Sequence, residues 1–385
     1  IIDIGPAAGV HGGELVYQGL VNELNGESKS YTAKYLKGIE SIDLPSRRRK
    51  WNQSISIQGA RENNLKNISV EIPLGVMSVI TGVSGSGKST LVKKILYPAI
   101  GKILGLTGEA TGKHDKLSGD YKKVTQIEFV DQNPIGKSSR SNPVTYVKAY
   151  DGVRQLFSEQ PLSKNNGFKP AHFSFNVDGG RCEVCEGEGT VTVEMQFMAD
   201  LHLECESCKG RRFKKEILEV KYNEKNIADI LDLTVEEAID FFEGVPGIVN
   251  KIKPLNNVGL GYIKLGQSSN SLSGGEAQRV KLASFLGKGG KAKQDHVMFI
   301  FDEPTTGLHF HDIKKLLDAM NALVNQGNSV LIIEHNMEIV KNADWIIDLG
   351  PEGGDNGGQL CFAGLPEDMA KLKDNHTAKY LKQKV

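Results

Sequence analysis

The sequence predicts an α/β fold with a mostly parallel sheet, into which a cysteine-bearing module is inserted. Strand-length apolar stretches alternate with helical ones, as at residues 297–301, 313–324 and 330–333, and this alternation is typical of such a sheet. The stretch 297–301 is apolar throughout, as expected for a strand that is covered on both faces. A polar region at about 132–255 interrupts the alternation and carries two cysteine pairs.

Composition excludes several classes of protein. The 385 residues carry 47 Lys+Arg and 47 Asp+Glu, so the formal net charge is zero. A protein that binds nucleic acid over its whole surface would carry a basic excess, although a local basic patch is still possible. Five cysteines do not make a disulfide scaffold and favour a reducing, cytoplasmic setting. We expect no membrane partner, because no apolar run reaches the roughly 18 residues that span a bilayer. We expect no signal peptide, because no basic n-region follows Ile1.

A phosphate-binding loop is predicted at residues 82–89. The letters GVSGSGKS fit G-x-x-x-x-G-K-[ST] between a predicted strand, 76–81, and a predicted helix, 89–97. Glycines and a helix N-terminus let backbone N–H groups surround phosphate oxygens. We expect Lys88 to reach the β- and γ-phosphates, Ser89 to bind Mg²⁺ and Thr90 to touch the α-phosphate. The other expected ATP contacts in this loop are Gly82, Ser84, Gly85 and Gly87.

Two carboxylates follow the apolar strand 297–301. Phosphoryl transfer to water depends on positioning and on charge stabilisation. We expect Asp302 to hold Mg²⁺ through water, and Glu303 to orient or deprotonate the attacking water. The pair is a weak signal alone and a strong one downstream of a phosphate-binding loop.

The motif LSGGE at 272–276, together with the two elements above, resembles the signature of ABC ATPases. The resemblance implies that Ser273 and Gly275 of one nucleotide-binding unit cap ATP held by another. It also implies that Gln132 is the Q-loop glutamine and that His335 is the switch histidine near the γ-phosphate. One departure concerns adenine, which many ABC ATPases stack on an aromatic residue. No aromatic residue or histidine occurs between Asn52 and Lys88, so adenine must be held otherwise.

Two Cys-x-x-Cys pairs predict a structural zinc site. Four thiolates at this spacing suit tetrahedral Zn²⁺, and strands are expected between the pairs at 190–197 and 201–203. Redox use of the pairs and a catalytic metal are the weaker alternatives, since four cysteines leave no open position on the metal. The ligands are Cys182, Cys185, Cys205 and Cys208. The fifth cysteine, Cys361, lies in a predicted strand and is expected to pack in the core.

Few families share this order of motifs. It resembles the UvrA family, in particular its second nucleotide-binding half. Further matches are GARENNL at 59–65, RSNP at 140–143, FSFNV at 173–177, GLGYI at 259–263 and DEPTTGLH at 302–309. The resemblance implies ATP-dependent recognition of damaged double-stranded DNA in bacterial nucleotide excision repair, without nuclease activity of its own. It further implies a homodimer of the full-length protein and hand-over to UvrB, which docks on the missing N-terminal half. The alternatives are a paralogue that binds DNA–drug adducts for self-resistance and a non-hydrolysing zinc/DNA-binding scaffold.

An internal repeat organises the chain. Residues 1–38 align without a gap with 346–383, and 17 of the 38 positions are identical. We therefore expect residues 1–45 to be the tail of a preceding nucleotide-binding unit plus a linker. The other expected divisions are the phosphate-binding core at 46–135, an inserted DNA-binding and zinc module at 136–270, and the signature, carboxylate, histidine and tail region at 271–385.

DNA contacts are predicted on either side of the cysteine module. Residues 182–208 hold seven acidic residues and no Lys or Arg, so this segment is not an electrostatic DNA grip. The flanking segments are basic, and phosphate contacts position a protein without reading sequence. The alternative for each side chain is an ordinary solvated charge. The predicted contacts are Lys137, Arg140, Arg154, Lys169, Arg211 and Arg212.

Overall fold

The computed structural model describes residues 1–6, 8–24, 29–136, 138, 140–193, 195, 201–287 and 295–385. The chain forms two compact units. Unit 1 comprises Ile1–Pro6, Glu14–Gln132 and Lys288–Val385, and unit 2 comprises Ala7–Gly13 and Asn133–Gly287. Among the described residues, no helix has the length and apolarity needed to cross a bilayer.

The strands are short, and most belong to unit 1. In chain order they are β1 (Ile2–Gly5), β2 (Glu14–Gln18), β3 (Ser54–Ala60), β4 (Ile68–Pro73), β5 (Met77–Thr81), β6 (Lys116–Gly119), β7 (Gln126–Val130), β8 (Thr190–Val193), β9 (Leu201–Glu204), β10 (Lys221–Tyr222), β11 (Lys225–Asn226), β12 (Val297–Asp302), β13 (Ser329–Ile333), β14 (Trp345–Gly350) and β15 (Gln359–Gly364).

The helices divide between the units. They are α1 (Tyr31–Leu36), α2 (Tyr97–Ile103), α3 (Pro143–Tyr146), α4 (Tyr150–Ser158), α5 (Pro161–Asn165), α6 (Lys215–Leu218), α7 (Ile227–Asp232), α8 (Val235–Phe241), α9 (Pro246–Asn257), α10 (Gly274–Leu286), α11 (Phe310–Asn325), α12 (Met337–Val340), α13 (Pro366–Met369) and α14 (His376–Leu381). A π-helix covers Thr90–Leu96, and short 3₁₀ turns include Pro170–Phe173 and Gly354–Asn356.

A six-stranded sheet is the centre of unit 1. Its order is β15-β14-β5-β13-β12-β7, and every neighbouring pair is parallel except β14 with β15. The predicted α/β fold with a mostly parallel sheet is therefore confirmed. All five residues of β5 and of β13 are buried, which explains why neither strand alternates apolar with charged residues. Because the parallel strands end at one edge, the loops after β5, β7, β12 and β13 meet there.

A second, antiparallel sheet of order β4-β3-β6 completes the core of unit 1. Ile57 on β3, Leu91 on the π-helix and Ile300 on β12 are fully buried in one apolar cluster. This cluster fixes the helix that follows β5 against the sheets, so the loop between strand and helix is held at both ends.

The helix predicted at 89–97 is present, and most of it is not an ordinary α-helix. Residues 90–96 are π-helical, and α2 continues from Tyr97. Pro98 has no N–H and cannot bond the carbonyl of Lys94, which instead accepts from the backbone N–H of Gly112 at 2.7 Å. The N–H of Tyr97 reaches back five residues to Val92. The wider turn is found together with this displaced hydrogen bond, and the apolar periodicity does not indicate it.

The sequence repeat is also a structural repeat. The antiparallel pair β1-β2 corresponds to β14-β15, and both pairs shift register after the aspartate. In the first copy Asp3 accepts from the hydroxyls of Ser30 and Thr32, the latter at 3.0 Å. In the second copy Asp348 accepts from Asn375 Nδ2 at 2.6 Å and Thr377 Oγ1 at 2.9 Å. The two copies therefore tie a helix to a hairpin through equivalent aspartates.

Cys361 corrects another expectation. The residue lies in β15, as a strand was expected there, but its side chain is exposed rather than packed in the core. The strand alternates exposed and half-buried residues at the edge of the sheet, and Cys361 falls on the exposed face.

Candidate nucleotide site and cysteine centre

The loop after β5 has the backbone of a phosphate cradle. Gly82, Gly85 and Gly87 have φ of +125°, +74° and +103°, which L side chains rarely adopt. A Cβ on Gly82 would lie 1.9 Å from the carbonyl oxygen of Leu349. The buried Oγ of Ser86 has no hydrogen-bond partner within the described part of the chain. A closed turn of glycines with an unpaired buried hydroxyl fits an anionic ligand such as a nucleotide phosphate.

Lys88 lies inside this loop. Its Nζ donates to the carbonyl oxygens of Gly82 and Val83, both at 2.8 Å, and only 8% of the residue is exposed. Burial lowers the pKa of the Lys88 ammonium, while the carboxylates of Glu303 and Asp348 oppose that shift. The loop thus holds a buried cation at the place where phosphate charge would be neutralised.

The tail loop, residues 353–358, is hydrogen-bonded to the backbone of the cradle and to Asn64. Gly354 N donates to Gly85 O at 3.1 Å, and Gly358 N donates to Ser86 O at 3.2 Å. Asn64 Nδ2 donates to both Gly85 O and Gly354 O, at 2.8 and 3.0 Å. These bonds satisfy the carbonyl groups of Gly85 and Ser86, so the two carbonyls have partners outside the cradle. The sequence repeat contained this loop, but its contact with residues 82–89 was not predicted.

Two carboxylates and a glutamine meet at the neighbouring strand ends. Glu303 has φ +45°, and its N–H donates to Ile333 O at 2.9 Å, so a left-handed residue turns the chain sharply after β12. Gln132 Nε2 donates to the carbonyl oxygen of Glu303 at 3.2 Å. Asp302 lies 2.6 Å from Lys93 Nζ, an ion pair that the motifs did not indicate.

Glu334 links the loop after β12 to His335. Its carboxylate is 1% exposed and accepts from the backbone N–H groups of Thr305, His335 and Asn336, at 3.1, 2.6 and 3.0 Å. The Thr305 hydroxyl adds a further hydrogen bond. The side chain of His335 itself is 68% exposed. A buried, fully bonded carboxylate therefore fixes the backbone of the histidine, and the only signal in the sequence was a Glu directly before it.

The signature residues begin a helix of unit 2. Ser273 is the N-cap of α10, where its hydroxyl accepts from Glu276 N at 3.3 Å and Glu276 accepts from Ser273 N at 2.8 Å. This reciprocal capping box positions the first turn, with Gly275 in it. Ser273 is exposed, so its helix N-terminus can meet an anion outside the unit.

The four cysteines come together as predicted. All four Sγ atoms lie within 4.8 Å of one another, with Cys182 and Cys205 4.0 Å apart and Cys185 and Cys208 3.6 Å apart. The antiparallel strands β8 and β9 connect the two pairs. Both predicted strands are present. The first was predicted at 190–197, of which the structure describes Thr190–Val193 and residue 195. The donor set and its compactness fit a tetrahedral zinc ion.

The chain turns in the same way after each Cys-x-x-Cys pair. Glu186 and Gly187 have φ of +50° and +85°, and the equivalent Lys209 and Gly210 have +49° and +73°. These left-handed pairs turn the chain back so that N–H groups face sulfur, as Gly189 N faces Cys185 Sγ at 3.3 Å. Burial raises the pKa of the Cys182 thiol, but backbone N–H donors outweigh it and bring the pKa to about 7. Burial instead raises the pKa of the Cys185 thiol, so the lowered pKa belongs to Cys182 and not to the whole cluster.

Comparison with known proteins identifies the family. No protein-family model matches the chain. The UvrABC system protein A of Clostridium perfringens is 51% identical over 384 residues, which are all of this chain and 40% of that protein. The chain therefore matches one segment of UvrA proteins over its whole length. The corresponding protein of Rhizobium meliloti is 48% identical over 385 residues, or 39% of its length. The crystal structure of UvrA2 from Deinococcus radiodurans has a TM-score of 0.91 and 43% identity, covering 99% of this chain and 46% of that one. This UvrA segment spans about 40% of the length of its curated relatives.

Three of the basic residues predicted to contact DNA in this UvrA segment have accessible side chains. Lys169 is exposed at the start of a 3₁₀ turn. Arg211 is half exposed and pairs with Asp229 at 3.0 Å. Arg154 pairs with Asp151 and lies over the ring of Tyr150. Lys137 lies outside the described residues.

Arg140 and Arg212 have other partners. Arg140 pairs with Glu188 at 3.5 Å and Glu186 at 3.9 Å, both in the acidic cysteine module. Arg212 lies over the Phe175 ring and donates to the carbonyl of Gly266 at 3.0 Å, and burial lowers its pKa. Arg212 thus has a packing role that a count of charges along the UvrA sequence could not reveal.

Proposed function

We propose that this chain is the second nucleotide-binding half of a UvrA protein, which binds and hydrolyses ATP and recognises damaged double-stranded DNA in nucleotide excision repair. The observation that carries the proposal is the edge of the main sheet. There the cradle with Lys88, the carboxylates Asp302 and Glu303, and the backbone fixed by Glu334 converge from three adjacent strands. The identity to UvrA over the whole chain supports the same conclusion.

The residues have separable roles in this proposal. Lys88 and the N–H groups of the cradle bind the β- and γ-phosphates, and Ser89 and Asp302 would hold Mg²⁺. Mg²⁺ would supply charge neutralisation between the phosphates. Glu303 orients the attacking water and accepts its proton, while Gln132 holds the Glu303 backbone. His335, carried on a backbone fixed by Glu334, contacts the γ-phosphate.

The first 38 residues support a preceding unit of the same kind. Ile2 and Ile4 on β1 are 70% and 68% exposed, whereas their counterparts in the second copy, Ile347 and Leu349, are at most 1% exposed beside β5. An apolar edge of this kind is expected to be covered. We infer that residues 1–38 complete the sheet of a first nucleotide-binding unit, as β14 and β15 complete this one.

Each nucleotide-binding unit has one cradle and one signature, and in this proposal an ATP site combines the cradle of one unit with the signature of another. Ser273 and Gly275 would cap ATP bound by the other half, so this chain alone should hydrolyse ATP poorly. The same proposal includes a homodimer of the full-length protein, docking of UvrB through the upstream half and a cytoplasmic location. The cysteine centre would hold structural Zn²⁺. Exposed basic side chains near it, including Lys169 and Arg211, are the proposed DNA phosphate contacts.

Substitution of Glu303 by Gln tests the enzymatic part of the proposal. In the full-length protein we expect ATP turnover to fall by about 10²-fold or more, because the amide cannot accept a proton, while ATP binding persists. Glu352→Gln is the control, since the side chain of Glu352 is 60% exposed and pairs with His376. Steady-state phosphate release is the measurement. Unchanged turnover in Glu303→Gln would favour a non-hydrolysing scaffold instead.

A further inference from the structure

Lys93 lies four residues after Ser89, on the π-helix behind the cradle. Its ammonium is 2.6 Å from the carboxylate of Asp302, and the two side chains are 41% and 22% exposed. The same ammonium lies 5.5 Å from the centroid of the Phe129 ring on β7. Lys93 therefore has two partners, of which one is the carboxylate assigned above to Mg²⁺.

We propose that Lys93 competes with Mg²⁺ for Asp302. The inference deepens the proposed function and rests on it, because it concerns the metal of the same nucleotide site. An ammonium in hydrogen-bond contact with the carboxylate offsets its charge and repels a divalent cation that approaches it. Mg²⁺ therefore binds at the expense of the Lys93 pair, and more weakly than Ser89 and Asp302 alone would bind it.

The Phe129 ring gives the displaced ammonium a second position. Cation–π attraction at a partly exposed ring is weaker than the attraction of a carboxylate at contact distance. The lysine thus rests on Asp302 and has an alternative partner within reach when Mg²⁺ arrives. Lys94, the next residue, instead pairs with Glu109 at 2.6 Å, and both of those side chains are exposed.

This neighbouring pair supplies a matched control. We compare Lys93→Met, Lys93→Gln, Lys93→Arg and Lys94→Met in the 385-residue chain. A fluorescent ADP analogue is bound first in EDTA, and MgCl₂ is then titrated into each complex. The Mg²⁺ concentration at half-saturation is read from the fluorescence change, and a thermal melt of each variant reports folding.

Removing the competing charge should tighten Mg²⁺ binding. We expect the half-saturating Mg²⁺ concentration to fall roughly 3- to 10-fold in Lys93→Met and Lys93→Gln, the effect of one unit charge near a divalent ion in a solvated site. Lys93→Arg and Lys94→Met should stay near the wild-type value. An equal midpoint in wild type and both uncharged Lys93 variants would overturn the competition, as would an equal fall in Lys94→Met. Failure of the wild-type chain to bind the analogue at all would overturn the proposed nucleotide site as well.

Discussion

Gly358 holds the back of the phosphate cradle in a conformation that other residues rarely adopt. Its φ is +80°, and a Cβ there would lie 1.9 Å from the carbonyl oxygen of Asn64. The same residue donates its N–H to Ser86 O. Two demands, an unusual dihedral angle and close backbone contact, coincide at one position.

Substitution of Gly358 by Ala separates these demands when it is compared with Gly105→Ala. Gly105 has φ +74° and open space around it, so its replacement should cost only the left-handed strain, about 1 kcal/mol. Gly358→Ala should cost at least about 2 kcal/mol more, because the backbone of Asn64 must move. Urea unfolding curves of both variants measure the difference. Equal shifts of the midpoint would contradict the role of the tail loop as a brace.

Single residues differ in how far the sequence alone defines them. Motifs predicted Lys88, Asp302 and Glu303 as site residues, because their expected chemistry follows from local spacing. The roles of Lys93 and Glu334 depend on partners far away in the chain, and no local pattern encodes such partners.

At the scale of elements, the strands were largely predictable and the cysteine module was recognisable from its spacing. Apolar runs gave β5, β12 and β13 because buried parallel strands need no alternation. The π-helical turn was not predictable, since it accompanies a hydrogen bond between Lys94 O and the distant Gly112 N, which no local pattern encodes. Edge strand β15 was predicted as a strand, but which of its faces is exposed depends on its neighbours.

Cys205→Ser tests the cysteine module as a metal-bound element. We expect about one equivalent of zinc per wild-type chain and loss of that zinc in the variant, because a hydroxyl is a poor ligand beside three thiolates. The thermal transition of unit 2 should fall as well, as it should after chelation of the wild-type chain, since zinc binding stabilises only the folded module. Cys361→Ser, which alters an exposed cysteine outside the cluster, should keep its zinc. Elemental analysis decides, and zinc retained by Cys205→Ser would contradict the assigned ligands.

At the scale of the whole molecule, the net charge of zero is the sum of acidic and basic segments that lie in different parts of the chain. The acidic cysteine module binds Arg140 through Glu186 and Glu188, so part of the basic flank is neutralised within unit 2. The charge available for DNA is therefore smaller than the sequence count suggests. Composition could exclude a uniformly basic protein, but only the coordinates separate exposed from internally paired arginines.

Lys169→Ala tests this reduced DNA surface in the full-length protein. Removing one phosphate contact should weaken binding to damaged and undamaged duplexes alike and lower the slope of log K against log salt concentration by about 1. Lys371→Ala is the control, because Lys371 is 74% exposed in the tail and pairs with Asp368. Fluorescence anisotropy over a range of KCl concentrations measures both slopes. An unchanged slope in Lys169→Ala would remove this residue from the DNA surface.

The tail loop also constrains the order in which the site can form on the ribosome. Asn64 and Gly354, which share a hydrogen bond, are 290 residues apart, and β5 lies between two strands, β13 and β14, that are made long after it. When residues 82–89 leave the exit tunnel, Asn64 has already been made, but Gly354, β13 and β14 have not. The cradle is thus among the first parts of the site to be synthesised and among the last to be completed. The strand before it, β5, cannot be buried in the sheet until β13 and β14 have been translated.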